Sequence, residues 1–264
     1  MIRASAVEYL NARPLVEGLD QRSDLFSLRF DVPAKCASLL HEKTVDLGLI
    51  PSIEYLRHAD YRIVPDIAVV SNGPVASVAL FSERPVTALR SIAVDASSRT
   101  AFALLRVLCA EWFDIEPKFV TLRPDLPTML KRCDAALLIG DAALYQEYEI
   151  NGLEKVDLGA EWTAMTSLPF AWAFWVGRVG VVEPGHVDAL RAARSAGVGN
   201  LDAIADQHAP AGDDEELREV ARKYLHENVS YTLDEAAREG LRKFYSAAHD
   251  LQIIPSFDGL RFFE

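Results

Sequence analysis

Hydrophobic and polar positions along the chain follow two rhythms, short apolar runs and helical stripes, and these alternate. Ile2–Val7 predicts a strand, 11–19 a helix and 25–32 a second strand. Pro33 suits the first turn of a helix running through Glu42, because its missing N–H has no partner there anyway. "VDLGLIP" (45–51) predicts a short buried strand, and Ser52 stands where it would cap a helix over "SIEYLRHA". Extended segments at 61–70 and 75–82 flank the turn "SNGP".

From Ser91 the pattern restarts. A strand at 91–95 leads into a helix over 99–113, with Ala101, Leu104, Leu105, Leu108 and Trp112 on one face. A strand at 118–122, a helix at 126–133 and a strand at 135–139 continue the series. "LPFAWAFWVGR" (168–178) reads as a long buried strand, after which the chain turns mostly helical. Within that last part "DDEEL" (213–217) puts acids at a helix start, and "TLDE" (232–235) forms a capping box in which Thr232 covers the Glu235 amide.

Strands alternating with helices predict an α/β fold with parallel sheets. The restart near residue 84 and the apolar segment near 170 predict an inserted lobe. Residues 1–83 and 175–264 would form a discontinuous first lobe, and 84–174 a second. Two extended crossings, near 80–86 and 170–176, would hinge the lobes over a central cleft, where a ligand is expected.

Composition narrows the function. The 264 residues carry a formal net charge of −12, which argues against nucleic acid or an anionic membrane surface as partner. A small anion stays admissible, since backbone dipoles bind one inside an acidic protein. Cys36, Cys109 and Cys133 have no short spacing and read as buried thiols, and the six histidines form neither HExxH nor a pair with CxxC. No metal site and no nicotinamide site is expected. The opening stretch lacks the apolar core and cleavage site of an export signal, and no run reaches membrane-span length, so the expectation is a cytoplasmic protein.

"VDASSRTAF" (94–102) is the most suggestive motif. Ser97 or Ser98 would cap the helix, leaving the Arg99–Ala101 amides without intrahelical partners and suited to a carboxylate. An ordinary solvent-facing cap is the competing reading. Without glycines the loop cannot wrap a polyphosphate. Asn11 reads as a cap at the end of the first strand, and Ser77 as filler in a half-buried one. Gly140 and Asp141 end a strand at the edge where α/β ligands gather, with Asp141 as a cap for the next helix. Arg99 suits an anion bidentately or points to solvent. Tyr9, Tyr55, Trp162, Phe170, Trp172 and Trp175 wall a pocket or fill the core. With no histidine in these segments, no GxSxG and no Cys–His pair, any chemistry must run on amide, hydroxyl and backbone groups, with a carboxylate as a further option.

Taken together, "YLNARPL", "DLGLIPSIEYL", "NGPVASVALFS", "IAVDASSRTAFALLRVL", "DAALLIGDAAL", "DLGAEW", "LPFAWAFW" and "NVSYTLDEAAREGLRKF" resemble, in order and spacing, the chorismate dehydratases of menaquinone biosynthesis by the futalosine route. The resemblance implies a two-lobed fold similar to type II periplasmic binding proteins, and loss of water from chorismate to give 3-[(1-carboxyvinyl)oxy]benzoate, without a cofactor. It implies Asn11 and Ser77 as catalytic residues, and Ser52, Ser97, Ser98, Arg99, Thr100, Gly140 and Asp141 as substrate-binding residues. Glu8, Ala101 and Ser167 depart from the family pattern, which commonly has serine, serine and glycine there. The base would be a substrate carboxylate or, alternatively, Glu8. The rival reading is a non-catalytic carboxylate receptor of the same fold.

Overall fold

Each apolar run of the first eighty residues forms a strand with helices or tight turns between. β1 (Ile2–Val7) is followed by a 3₁₀ turn at Leu10–Leu15, β2 (Phe26–Asp31), α1 (Pro33–His41), β3 (Leu47–Pro51), a second 3₁₀ turn at Ser52–Arg57, β4 (Tyr61–Ser71) and β5 (Val78–Ser82). The restarted pattern gives β6 (Ser91–Asp95), α2 (Arg99–Glu111), β7 (Lys118–Leu122), α3 (Leu126–Leu130), β8 (Ala135–Ile139), α4 (Asp141–Leu144), β9 (Glu154–Asp157), α5 (Leu158–Thr166) and β10 (Phe170–Arg178). The rest is helical: α6 (Pro184–Val198), α7 (Leu201–His208), α8 (Glu215–Lys223), a π-helical turn at Tyr224–Asn228 and α9 (Glu235–Asp250). The computed structural model describes residues 1–147, 152–210 and 214–264. Asp213 of the "DDEEL" motif lies outside the described residues, and Asp214 caps α8 by accepting from the Glu216 amide.

The strands form two five-stranded sheets, ordered β2-β1-β3-β10-β4 and β7-β6-β8-β5-β9. Only part of each sheet is parallel. β1 pairs in parallel with β2 and β3, and β6 with β7 and β8, whereas β10 and β5 run antiparallel to both of their neighbours. The expectation of parallel sheets therefore fails at the strands that arrive from the other sheet. Such strands enter without a crossover helix, and apolar periodicity carries no information on strand direction. All of β5 pairs in the second sheet and all of β10 in the first. The chain passes between sheets in the segments 72–77 and 167–169, not within 80–86 and 170–176.

The first of these passages is fixed by one carboxylate. Asp157 accepts from the Val75 and Ala76 amides at 3.0 and 2.6 Å, and its Oδ1 also accepts from Gly159 and Ala160 at the start of α5. Ala76 is held at φ 61° there. In the second passage Ser167 closes α5 at φ 60°, a left-handed conformation that glycine adopts without steric cost. The core beneath is aromatic, with Trp162, Phe170 and Phe244 in mutual edge contact at centroid distances of 4.9–6.2 Å.

Local caps differ from the sequence reading in several places. The segment from Asn11 is a 3₁₀ turn rather than a helix to Leu19, and Tyr9 takes its cap position with Asn11 inside it. Pro14 limits the regular i→i−4 bonding there. Ser52 is the first residue of its turn and wholly buried, with no capping bond. Asp234, not Thr232, caps α9 by accepting from the Ala237 amide at 2.8 Å, while Thr232 accepts from Arg194. Trp112 leaves the buried face of α2 and lies exposed, its indole donating to Glu161 at 2.6 Å. Among the described residues no helix is long and apolar enough to cross a membrane.

Candidate functional site

A cleft with an open volume of about 540 Å³ lies between the two sheets. Tyr9, Asn11, Ser97, Ser98, Thr100 and Gly140 contribute its polar wall, and Leu49, Val69, Val78 and Trp172 much of its apolar one. Trp172 reaches the cleft through a bulge. Ala171 and Ala173 pair with consecutive residues of β4, so Trp172 falls between them and its indole donates to Ser71 Oγ at 3.0 Å.

The serine loop ends β6 and starts the thirteen-residue helix α2. Ser98 takes the N-cap position without a side-chain capping bond, and Phe102 N–H donates to its carbonyl at 2.7 Å. The Arg99 amide turns back onto the Ser97 carbonyl at 3.0 Å, which leaves the Thr100 and Ala101 amides as the orphan donors of the first turn. Ser98 is 2% exposed, and its Oγ has no hydrogen-bond partner although the residue lines the cleft. A buried hydroxyl left unpaired beside free helix-start amides is a donor set for an anion. No charged side chain lines the cleft among the described residues.

Across the cleft stands Tyr9. Its ring covers Gly140, where an added Cβ would lie 2.6 Å from ring carbons. Burial, the largest influence, pushes the phenol up to about 12 against a hydrogen bond with Ser97, with Asp95, Glu8 and Asp141 adding to the rise. Ser97 in turn donates to Asp95, whose carboxyl is raised by burial.

The structure brings together Asn11, Ser97, Ser98, Thr100 and Gly140 on the cleft wall, and places Ser52, Ser77, Arg99 and Asp141 off it. The reasons are local. Arg99 donates to Glu54 Oε2 at 2.8 Å and to Ser38 Oγ at 3.1 Å, so its charge is spent against the first lobe. Thr100 Oγ1 accepts from the Ile53 amide at 3.2 Å and meets Ser52 Oγ at 3.5 Å. Asp141 is the first residue of α4, not its cap, and accepts from the Leu10 amide at 3.1 Å, with burial raising its carboxyl. Ser77 is buried, and its Oγ shares a 2.7 Å hydrogen bond with the Tyr224 hydroxyl. Glu8 is exposed and does not line the cleft.

Sequence reasoning missed Glu54, Asp157 and Tyr224. Each acts through a bond to a residue between 45 and 147 positions away, and periodicity holds no signal of such pairs. Of the aromatic residues considered for the cleft, Tyr9 and Trp172 line it, and Trp162, Phe170 and Trp175 are core.

Residues 2–250 match the family described as menaquinone biosynthesis. The chorismate dehydratase of Thermus thermophilus is 34% identical, with 94% of this chain and 95% of that one covered. Among solved structures, a protein of Archaeoglobus fulgidus superposes with a TM-score of 0.74 at 18% identity, covering 96% of this chain and 98% of that one. The periplasmic aliphatic sulphonate binding protein of Escherichia coli gives a TM-score of 0.66 at 14% identity, covering 100% and 94%. The two-lobed architecture is thus that of the periplasmic binding proteins, and the chain belongs to the menaquinone biosynthesis family.

Proposed function

We propose that the chain is a carbon–oxygen lyase that removes water from chorismate to give 3-[(1-carboxyvinyl)oxy]benzoate. The observation that carries this reading is the unpaired Ser98 hydroxyl beside the free Thr100 and Ala101 amides, in a cleft that Asn11 also lines and that no charged side chain lines among the described residues. One substrate carboxylate is held at the start of α2, where the helix end carries roughly half a positive charge. Ser97 and Gly140 bound that subsite. Asn11 meets the ring hydroxyl and stabilises it as it leaves with its bonding electrons. A proton comes off the adjacent ring carbon that bears the ether, and the electrons left there complete the aromatic ring.

The proton goes to the substrate's second carboxylate. Glu8, the alternative, stands exposed outside the cleft. The released hydroxide and that proton together make the water, so nothing else is consumed. Aromatisation supplies driving force, and holding the ring and its carboxylate in the reactive arrangement supplies much of the remaining acceleration. The lobes, hinged at 72–77 and 167–169, close over the ring. Arg99 and Ser52 serve the closed arrangement, Asp141 anchors the Leu10 turn, and Ser77 acts from behind Asn11.

Incubation of the purified protein with chorismate tests this. The expected result is growth of a benzoate ultraviolet band and a product lighter by one water. Saturable binding of chorismate with no such product would overturn the reading in favour of a non-catalytic carboxylate receptor.

A further inference from the structure

Tyr224 begins the π-helical turn that follows α8, a widened turn of a kind that recurs at functional sites. Its ring is 1% exposed, yet its hydroxyl is not idle. It shares a 2.7 Å hydrogen bond with Ser77 Oγ, and the Asn11 side chain lies close enough to favour its ionised form. A phenol oxygen with one proton and two lone pairs can serve both groups at once. Three distant segments, the Leu10–Leu15 turn, the 72–77 passage and the C-terminal helices, therefore meet at one buried oxygen, and only Asn11 of the three side chains lines the cleft.

The phenol is held there by contacts within the protein itself. Asn228, at the end of the same turn, donates to the Pro74 carbonyl at 3.0 Å. Beyond it Ser230 and Val70 exchange both backbone hydrogen bonds, at 2.8 and 2.9 Å. The chain just after Tyr224 is thus tied to the passage that carries Ser77, at Pro74, and to the end of β4, at Val70. Burial pushes the phenol above its ordinary range, outweighing the influence of Ser77 and Asn11, so it stays protonated and keeps its ability to donate.

An amide on a cleft wall rotates about its terminal torsion unless something fixes it, and carbonyl and NH₂ then exchange places. We propose that Tyr224 is a positioning residue, whose hydroxyl locks the Asn11 amide and the Ser77 hydroxyl in the orientation that meets the departing ring hydroxyl. This rests on the reading of Asn11 as the group that touches that hydroxyl. Tyr224 itself touches no reacting atom, so its removal lowers kcat and leaves KM.

The test is Tyr224→Phe, assayed with chorismate beside Asn11→Ala and the double variant. Y224F keeps the ring and removes one oxygen. Partners that stand behind a site group are worth about 10–100-fold where they have been measured, at metal sites. The expected result is a fall of that order in kcat with KM within about twofold, and a double variant no slower than N11A alone. If Y224F misfolds, Ser77→Ala reads the same cluster without disturbing the ring's packing and should lower kcat in the same non-additive way.

A normal kcat in Y224F beside a crippled N11A overturns the role of Tyr224 and leaves the reading of Asn11 standing. Effects of Y224F and N11A that multiply show that Tyr224 acts elsewhere and also overturn it. Normal turnover in N11A removes the reading of Asn11 and this inference with it.

Discussion

Arg99, the first residue of α2 on the second sheet, donates to Glu54 Oε2 at 2.8 Å, and Glu54 belongs to the turn that follows β3 of the first. The pair joins the lobes beside the free amides of the serine loop. Glu54 keeps only 4% of its side chain in solvent and also holds His41 at 2.7 Å and Arg57 at 3.6 Å. Breaking a buried pair costs about 3–5 kcal/mol. With Arg99 still 30% exposed, Glu54→Gln and Arg99→Ala should each cost less, about 1–3 kcal/mol. For a chain of this size that is a fall of about 2–10 °C in melting temperature. Each 1.4 kcal/mol lost from the closed arrangement raises the apparent KM about tenfold. If Arg99 bound substrate directly, E54Q would free its guanidinium and lower KM. A rise of KM in both variants identifies the pair as the fastening between lobes.

The same carboxylate sets an acid limit. Burial, the largest influence on Glu54, pushes its carboxyl up, but the His41 hydrogen bond and the Arg99 and Arg57 charges outweigh it, and it titrates below its ordinary value of 4.5. Near that value the folded chain holds fewer protons than the unfolded one. The stability Glu54 contributes is therefore complete above pH 4.5 and is lost as pH falls through the lower folded value. Urea unfolding of the native chain and of E54Q should differ most near neutrality and converge as the solution is made more acidic than about pH 4. A constant gap across that range would show that the carboxylate's charge is not what the variant removes.

Gly140 ends β8 with φ 64° and ψ −148°, a region of backbone space essentially reserved for glycine. An added Cβ would also stand 2.6 Å from the ring of Tyr9, which lines the cleft. Gly140→Ala combines strain with overpacking, each worth about 1–3 kcal/mol. It should lower the melting temperature and, by tilting Tyr9 away from Ser97, reduce turnover more steeply than stability alone explains. Tyr9→Ala in the same chain would remove the overpacking, so the double variant should recover part of the melting temperature but not the activity.

The parts legible in the sequence are those whose cause is local. The apolar runs of β1, β3, β6 and β8 announce themselves because each is buried on both faces, and the Ser97–Thr100 loop does so because a strand stops at hydroxyls where a helix starts. Arg99 shows the limit of that reasoning. Its position beside an anion-binding helix start is visible, yet its partner Glu54 lies 45 residues away and takes the charge first. Asp157, Tyr224 and the antiparallel entry of β5 and β10 are of the same kind. Their role depends on which segments the fold brings together, and an apolar period of two or of 3.6 encodes burial rather than partner.

Ser98 offers the cleanest separation of fold from function. Its Oγ is buried with no hydrogen bond, and such a group detracts from stability by about 1–3 kcal/mol rather than adding to it. Ser98→Ala should therefore melt at the same temperature as the native chain or higher, unlike the removal of a satisfied buried hydroxyl. With substrate in the cleft the same oxygen donates to a carboxylate, a bond worth about 1.5–3 kcal/mol, which corresponds to a rise in KM of about 10- to 150-fold. Thermal unfolding of the free protein and steady-state kinetics with chorismate measure the two effects apart. A lower melting temperature with KM unchanged would make Ser98 a structural hydroxyl and move the carboxylate subsite away from the start of α2.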